Sequence, residues 1–307
     1  MKLRRIVALM ASIAILASAC SASASPVPSA APVVSTAPSS GAPASGAPAS
    51  AAAPSASAST PELDAIRARG TLQVGLTATY RPWDYYEGST IVGLDPDIVA
   101  IFAKDLGVQP DLIDTDWTGV VASLNTKKFD TIISALTYTP ERGAAISFTQ
   151  PYGDLKWVFL VKSGSGFTKA ADLEGKTISV EQGGATETLL EQLNKQGHNF
   201  KILSINGLDA TYAALESGRA DAVLDALPGV LYFIKNNSGY SQFEVDPSLG
   251  VSWTSIGVRK SDPDLCNFLN DELTKIKSDG RLSQIETKWL GSYMDEPATV
   301  PDYQVCS

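Results

Sequence analysis

From residue 71 onward, short apolar runs rich in β-branched residues alternate with amphipathic stretches of helical period. The apolar runs predict strands at 71–75, 111–113, 129–134, 177–180, 201–205 and 221–224. The amphipathic stretches predict helices at 95–106, 117–124, 186–196, 208–217, from 228 onward, 263–279 and 281–290. This alternation predicts an α/β fold with parallel sheets flanked by helices, in which ligands bind beyond the carboxyl ends of the strands.

The first twenty residues have the order of a secretory signal peptide. Three basic residues precede an apolar run at 6–16 that is too short to span a bilayer, and small residues at 17–19 come directly before Cys20. The pattern resembles a bacterial lipoprotein signal, which implies that Cys20 is lipidated and holds the protein on the outer face of the cell membrane. The alternative is a plain signal peptide cleaved near Ala19, with Cys20 incidental.

Residues 21–60 are nearly all Ala, Ser and Pro, without a charge or an aromatic side chain. Such a segment buries too little apolar surface to offset its ordering entropy, so we predict a disordered tether. The foldable part is therefore 61–307. Three of the chain's 24 Lys and Arg residues precede it and none of its 33 acidic residues does, so its net charge is −12. This charge argues against binding nucleic acid.

Cys266 and Cys306 are the cysteines that follow Cys20. Because the chain is predicted to be exported, the pair can oxidise and form a disulfide that ties the C-terminal tail to the helix at 263–279. Two free buried thiols are the alternative. The sequence contains one histidine, His198, in a polar stretch, and no cluster with metal-ligand spacing, so we expect neither a metal nor a cofactor.

Several motifs, in a fixed order, resemble the bacterial extracellular solute-binding proteins of family 3, the polar amino-acid receptors of ABC importers. The resemblance covers nearly all of 63–291, and the segments that carry it are 80–85, 93–97, 115–119, 129–142, 146–152, 218–234 and 279–291. It implies the type II periplasmic-binding-protein fold, with lobe 1 at 61–153 plus 256–307, lobe 2 at 154–255 and hinge strands at 156–161 and 252–258. Such lobes close over a ligand by hinge motion.

The resemblance also implies the ligand contacts of lobe 1. Arg142 matches the family arginine that binds the ligand carboxylate, for which a planar guanidinium fork is well suited. Thr137 matches a hydroxyl and backbone donor, and the carbonyl of Ala135 matches an acceptor for the ligand ammonium. The aromatic residues that match the walls of the family pocket are Tyr80, Trp83 and Trp117. Ordinary core packing is the alternative for each of these three, above all for Trp83.

The second lobe departs from the family pattern. Where relatives have a Gly-Thr-Thr turn, this chain has Gly183-Gly184-Ala185-Thr186, so the donors are expected from backbone N–H groups or the Thr186 hydroxyl. The slot of the ammonium-binding aspartate is Ala226, and Asp225 lies one residue earlier. Because one step along a strand reverses the direction of a side chain, either the backbone readjusts so that Asp225 takes the ammonium, or the ligand lacks that contact.

These features predict a monomeric receptor that captures a polar amino acid and delivers it to the permease of an ABC importer. Thr77 stands where receptors for basic amino acids tend to have an acid, so a glutamine- or glutamate-like ligand is expected. Two alternatives stay open: a ligand-sensing receptor for a signalling partner, and a dehydratase or murein-degrading enzyme on the same fold. The single histidine weakens the enzyme alternative, although a glutamate would still serve as a proton donor.

Overall fold

The structure is a computed structural model that describes residues 61–246, 252–292, 294 and 304–306. The predicted signal peptide, Cys20 and the tether lie outside these residues. The described strands are β1 (Thr71–Leu76), β2 (Thr79–Tyr80), β3 (Asp84–Glu87), β4 (Thr90–Val92), β5 (Gln109–Asp114), β6 (Thr131–Ile132), β7 (Ser147–Leu155), β8 (Trp157–Lys162), β9 (Thr177–Glu181), β10 (Lys201–Ile205), β11 (Ala222–Ala226), β12 (Tyr240–Glu244) and β13 (Ser252–Val258). The described α-helices are α1 (Pro61–Arg69), α2 (Leu94–Leu106), α3 (Val120–Asn125), α4 (Pro140–Ala145), α5 (Ala185–Lys195), α6 (Leu208–Glu216), α7 (Leu227–Asn236), α8 (Pro263–Ser278) and α9 (Arg281–Leu290).

Two five-stranded sheets of the same plan form the two lobes. Their strand orders are β5-β1-β6-β13-β7 in lobe 1 and β10-β9-β11-β8-β12 in lobe 2. In each sheet three neighbouring strands are parallel and the last two are antiparallel to their neighbours. The parallel arrangement predicted from the sequence thus holds for three strands of each sheet, whereas β13 is antiparallel to β6 and β7, and β8 is antiparallel to β11 and β12. The lobe boundaries given from the sequence stay predictions.

The chain passes from one sheet to the other at Lys156, between β7 and β8. β13 pairs with β7 from Ser252↔Leu155 to Val258↔Ser147, with register shifts between them, so this strand lies in the sheet of lobe 1. A small antiparallel sheet, β2-β3-β4, adds to lobe 1 and was not predicted. Its strands are only two to four residues long, too short to show a clear alternation of polar and apolar positions.

Each lobe has a buried apolar core. In lobe 1 the helices α1, α2, α8 and α9 cover the sheet around side chains such as Trp83, Phe102 and Leu269, none of which reaches solvent. In lobe 2 the two faces of the sheet are covered separately, one around Phe159 and Leu190 and the other around Val158, Val223 and Val230. Each fully buried side chain of this size stabilises the fold by roughly 1.5–3 kcal/mol. Each lobe is therefore stabilised by a packed core of its own.

The carboxyl ends of the parallel strands point to the interface of the lobes. β6 has only two paired residues, shorter than the predicted strand at 129–134, because the chain leaves the sheet before Ala135. Ala135 has a backbone φ of 43°, a left-handed conformation that is uncommon for a residue with a side chain. The predicted strand thus ends early to form a loop at the edge where parallel sheets place ligands.

The disulfide between Cys266 and Cys306 is present, with the two Cα atoms 5.5 Å apart. It joins α8 to the end of the chain across a sequence separation of 40 residues. Closing a loop of this length is worth up to about 4 kcal/mol in the chain-entropy account. Among the described residues, no helix is both long and apolar enough to cross a membrane.

Replacing both cysteines, as Cys266→Ser with Cys306→Ser, should lower the melting temperature by several degrees, because the unfolded chain regains the entropy of the open loop. Thermal unfolding of wild type and double variant, each with and without reductant, measures this. Reductant should lower only the wild-type midpoint. If reductant lowered both midpoints equally, the disulfide would not be the source of the stability.

Candidate functional site

A cavity lies between the two lobes, where the strands of both sheets end. Its wall includes Thr77 and Ser134, which follow β1 and β6, and Glu181 and Asp225, at the ends of β9 and β11. The empty space, including the part open to solvent, is about 430 Å³. The lining residues are Thr77, Tyr80, Trp117, Ser134, Ala135, Thr137, Arg142, Leu155, Trp157, Glu181, Gly184, Ala185, Thr186, Leu208 and Asp225.

Nine of the ten residues predicted to bind a ligand line this cavity. They are Tyr80, Trp117, Ala135, Thr137, Arg142, Gly184, Ala185, Thr186 and Asp225. The exception is Trp83, which has no exposed surface and packs edge-on against Tyr152 with ring centroids 6.2 Å apart. Gly93 passes so close to Trp83 that a Cβ there would lie 2.1 Å from its carbonyl oxygen. Trp83 is therefore a core residue, and its place in the predicted binding set is corrected.

Arg142 is placed by the start of α4. Thr139 caps this helix through its side-chain oxygen, which accepts from the backbone N–H of Arg142, and Pro140 follows. The guanidinium donates to the carbonyl of Thr137 at 2.8 Å and, across the interface, to the carbonyl of Gly183 at 3.0 Å. Its loss of hydration lowers the pKa of Arg142 to about 10, so it stays charged at neutral pH. It is the cation of the cavity wall in the described part of the chain.

Asp225 rather than Ala226 faces the cavity. Its carboxylate accepts from Tyr80 Oη at 3.1 Å, from Tyr212 Oη at 2.7 Å and from the backbone N–H of Ala226 at 2.7 Å. Burial raises the pKa of Asp225 to about 6, and these hydrogen bonds limit the rise. Ala226 belongs to the core instead. The sequence left open whether Asp225 or no side chain would pair with a ligand ammonium. In the structure the Asp225 carboxyl lines the cavity.

The wall from lobe 2 also contains the N-terminus of α5. Gly184 precedes the helix, Ala185 is its first residue and the buried Thr186 follows. The first N–H groups of a helix have no partner within the helix and favour anions. On the side of lobe 1, the backbone N–H of Ala135 donates to Asp95 Oδ2 at 2.8 Å, which fixes the orientation of this loop.

A buried pair of aspartates lies beneath the loop of Ala135. Asp84 and Asp95 have no exposed surface and lie close enough for each to affect the pKa of the other. Burial and the neighbouring charge of Asp95 raise the pKa of Asp84 well above its usual range, whereas burial raises the pKa of Asp95 to about 7. The Asp95 carboxyl also accepts from Tyr152 Oη at 2.8 Å. This network supports the cavity without lining it.

Hydrogen bonds across the interface hold the lobes together around the cavity. Trp117 Nε1 donates to the carbonyl of Gly183 at 3.2 Å, and the Trp117 ring lies 4.9 Å from the guanidinium of Arg142. At the rim, Asn206 donates to Asp116 at 2.6 Å and Arg81 pairs with Asp209 at 2.7 Å. The lobes are thus in contact on several sides of the cavity.

Sequence reasoning missed six residues of the wall: Thr77, Ser134, Leu155, Trp157, Glu181 and Leu208. The sequence analysis used Thr77 only because it is not an acid. In the structure its hydroxyl donates to Asp84 at 3.4 Å. Glu181 is the most consequential omission, because it adds a second carboxyl to the cavity. It ends the apolar run at 177–180, where the strand pattern indicates only that the chain leaves the sheet. Among the described residues, no group of His, Cys, Asp and Glu side chains is arranged to hold a metal.

Comparison with known proteins agrees with this architecture. The family model described as "Bacterial extracellular solute-binding proteins, family 3" matches residues 72–292. The L-cystine-binding protein TcyJ of Escherichia coli (strain K12) is 32% identical over 234 residues, which cover 75% of this chain and 86% of TcyJ. The arginine-binding extracellular protein ArtP of Bacillus subtilis (strain 168) is 29% identical over 221 residues, 71% of this chain and 86% of ArtP.

Solved structures give the same answer. A mutant of ArgBP from T. maritima superposes with a TM-score of 0.69 at 31% identity and covers 75% of this chain and 100% of its own. The ancestral amino acid-binding protein AncCDT-1, described as a precursor of cyclohexadienyl dehydratase, superposes with a TM-score of 0.67 at 30% identity, covering 74% and 98%. The match spans most of the described residues and both lobes, so the chain belongs to the bacterial extracellular solute-binding proteins of family 3 and has their two-lobed fold.

Proposed function

We propose that this protein captures a polar α-amino acid outside the cytoplasm and presents it, as a monomer, to the permease of an ABC importer. The observation that carries the proposal is the arrangement of opposite charges in one cavity, with Arg142 on one lobe and Asp225 on the other. An α-amino acid has a carboxylate and an ammonium on the same carbon, and these two groups pair with such an arrangement. The relatives named for arginine, cystine and histidine support an amino-acid ligand.

In the proposed complex, the ligand carboxylate accepts from the Arg142 guanidinium and from N–H groups at the start of α5. The guanidinium has five N–H donors, so it can hold a carboxylate while keeping its bond to the Thr137 carbonyl. The ammonium donates to Asp225 and to the carbonyl of Ala135, and Tyr80 and Trp117 form the walls. Because the groups come from both lobes, the ligand favours the closed arrangement.

The sequence predicted a glutamine- or glutamate-like side chain because Thr77 stands in place of an acid. Glu181 changes that expectation, since it supplies an acid to the same cavity from the other lobe. For this reason the proposed ligand class is a polar amino acid, without a glutamine- or glutamate-like side chain being specified. We also infer that the ligand is bound without being converted, as the relatives are named for binding.

Thermal unfolding of residues 21–307 with each of the twenty amino acids at about 1 mM tests the ligand class. A ligand with micromolar affinity stabilises the folded state by about 4 kcal/mol and should raise the melting temperature by several degrees. The shift should be confined to a few polar amino acids. If no amino acid shifted the midpoint, the ligand would lack the paired charges that the cavity is proposed to bind.

Replacement of Arg142 by Ala should weaken binding of the stabilising amino acid by more than about 100-fold, because the ligand carboxylate loses a charged, two-bond partner. Arg142→Lys, which keeps the charge but not the fork, should give an intermediate loss. Titration calorimetry measures both. Arg219→Ala is the matched control, because Arg219 is exposed and does not line the cavity. Equal affinities of Arg142→Ala and the control would contradict the assignment.

We further propose that the mature protein is anchored to the outer face of the cell membrane through a lipid on Cys20. In a bacterium that processes lipoproteins, the wild-type chain should fractionate with membranes, and Cys20→Ser should not be processed to the mature lipidated form. Fractionation with mass spectrometry of the mature N-terminus measures this. A wild-type N-terminus without a lipid would show that the segment is a plain signal peptide.

A further inference from the structure

Glu181 is a buried carboxyl that the proposed contacts with the α-carboxylate and α-ammonium do not use. It lies at the end of β9, is only 8% exposed and lines the cavity. Its Oε1 is buried without a hydrogen-bond partner among the residues that the structure describes. Asp225, the other acid of the wall, has three donors. A buried carboxylate oxygen without a donor is destabilising unless a further group supplies the missing interaction.

The charges around Glu181 come from both lobes. The charges of Asp225 on β11, Arg142 on α4 and Asp116 in the loop after β5 affect the pKa of Glu181, and the charge of Glu181 affects that of the Tyr80 hydroxyl. With both carboxylates of the wall ionised, the cavity has one cation and two anions. A zwitterionic ligand bound as proposed uses the cation and one anion, so Glu181 has no countercharge in its ionised form.

We propose that Glu181 is the specificity-determining residue that receives the positively charged end of the ligand side chain, so that the protein takes a cationic amino acid. This inference rests on the proposed function, because the α-groups must first be held by Arg142 and Asp225. The cation supplies both the countercharge and the donor that Oε1 lacks. A glutamate ligand would instead bring a third carboxylate close to two others, and glutamine has no cation that could stabilise the ionised form of Glu181. Thr77 therefore does not disfavour a basic ligand, because the acid proposed to pair with such a ligand is Glu181 of lobe 2, whereas Thr77 belongs to lobe 1.

The protonation of Glu181 gives the proposal a second consequence. Burial, followed by the charge of Asp225, raises the pKa of Glu181 to about 8, and Arg142 limits the rise. At pH 7 the carboxyl therefore holds a proton in the absence of a cation. A cationic side chain favours the ionised form, so binding releases this proton. Affinity for the cation should consequently increase as the pH rises toward about 8 and then level off, because above this pH no proton has to be removed.

The test is titration calorimetry of residues 21–307 with arginine, lysine, glutamine and glutamate, at pH 7 in two buffers that differ in ionisation enthalpy. We expect arginine or lysine to bind more tightly than glutamine and glutamate and to release on the order of one proton per ligand. Glu181→Gln should weaken binding of the cationic ligand about 10- to 100-fold, change glutamine binding less than about threefold and abolish the proton release.

Folding of the variant is checked without ligand. Because Glu181→Gln removes a buried ionisable group without a partner, its melting temperature at pH 8 should equal or exceed that of wild type. The proton release is measured on the wild-type protein alone, so it tests the proposal even if the variant fails to fold. Tighter binding of glutamine or glutamate than of arginine and lysine would overturn the role of Glu181 and leave the proposed function intact. Binding of none of the four would overturn the inference, and a negative result with the remaining sixteen amino acids would overturn the proposed function as well.

Discussion

The interaction on which the site depends is the opposition of one buried guanidinium to two buried carboxyls across the interface of the lobes. Arg142 belongs to lobe 1, whereas Glu181 and Asp225 belong to lobe 2. In a cavity with little water, each of these charges is costly unless it is paired. The pKa values follow this constraint: burial lowers that of Arg142 and raises those of both acids. A ligand with separate positive and negative groups relieves the cost on both sides at once.

The fold serves this interaction by bringing strand ends of two sheets to one place. The same order of parallel and antiparallel strands in each lobe directs the carboxyl ends of β1, β6, β9 and β11 toward the interface. Lobe 1 adds a left-handed turn at Ala135, which Asp95 fixes by accepting from its N–H. Lobe 2 adds the start of α5. Neither lobe alone supplies both charges of the proposed site, so a ligand that contacts both would couple binding to closure.

Much of what lobe 1 contributes to the candidate site was predictable, because the sequence signals for its helix starts are local. Thr139 and Pro140 start the helix that carries Arg142, and both are residue types that favour a helix start in the sequence itself. The helix at 281–290 was also located correctly. By contrast, Glu181 could not be found in this way, since its importance arises from groups on other elements. Trp83 shows the opposite error: its motif matches an aromatic wall, but packing against Tyr152 places it in the core.

The sequence also did not decide whether Asp225 replaces Ala226 in the ammonium-binding slot, for a similar reason. Sequence alignment to a pattern gave Ala226 the binding slot, whereas the direction of β11 turns Asp225 toward the cavity and Ala226 toward the core. Direction along a strand depends on its pairing, here with β8 and β9, and pairing is a long-range property. For the same reason, the sequence predicted hinge strands at 156–161 and 252–258 but not their antiparallel pairing within the two sheets. Local patterns predicted the helices and strands better than they predicted which strands pair with each other.

A crystal structure of the protein grown with the amino acid that stabilises it most tests the central claim most directly. The account predicts the ligand between the lobes, with its carboxylate within about 3 Å of the Arg142 guanidinium, its ammonium at Asp225 and a cationic side chain at Glu181. A ligand carboxylate held by groups other than Arg142, or a ligand bound outside this cavity, would contradict it.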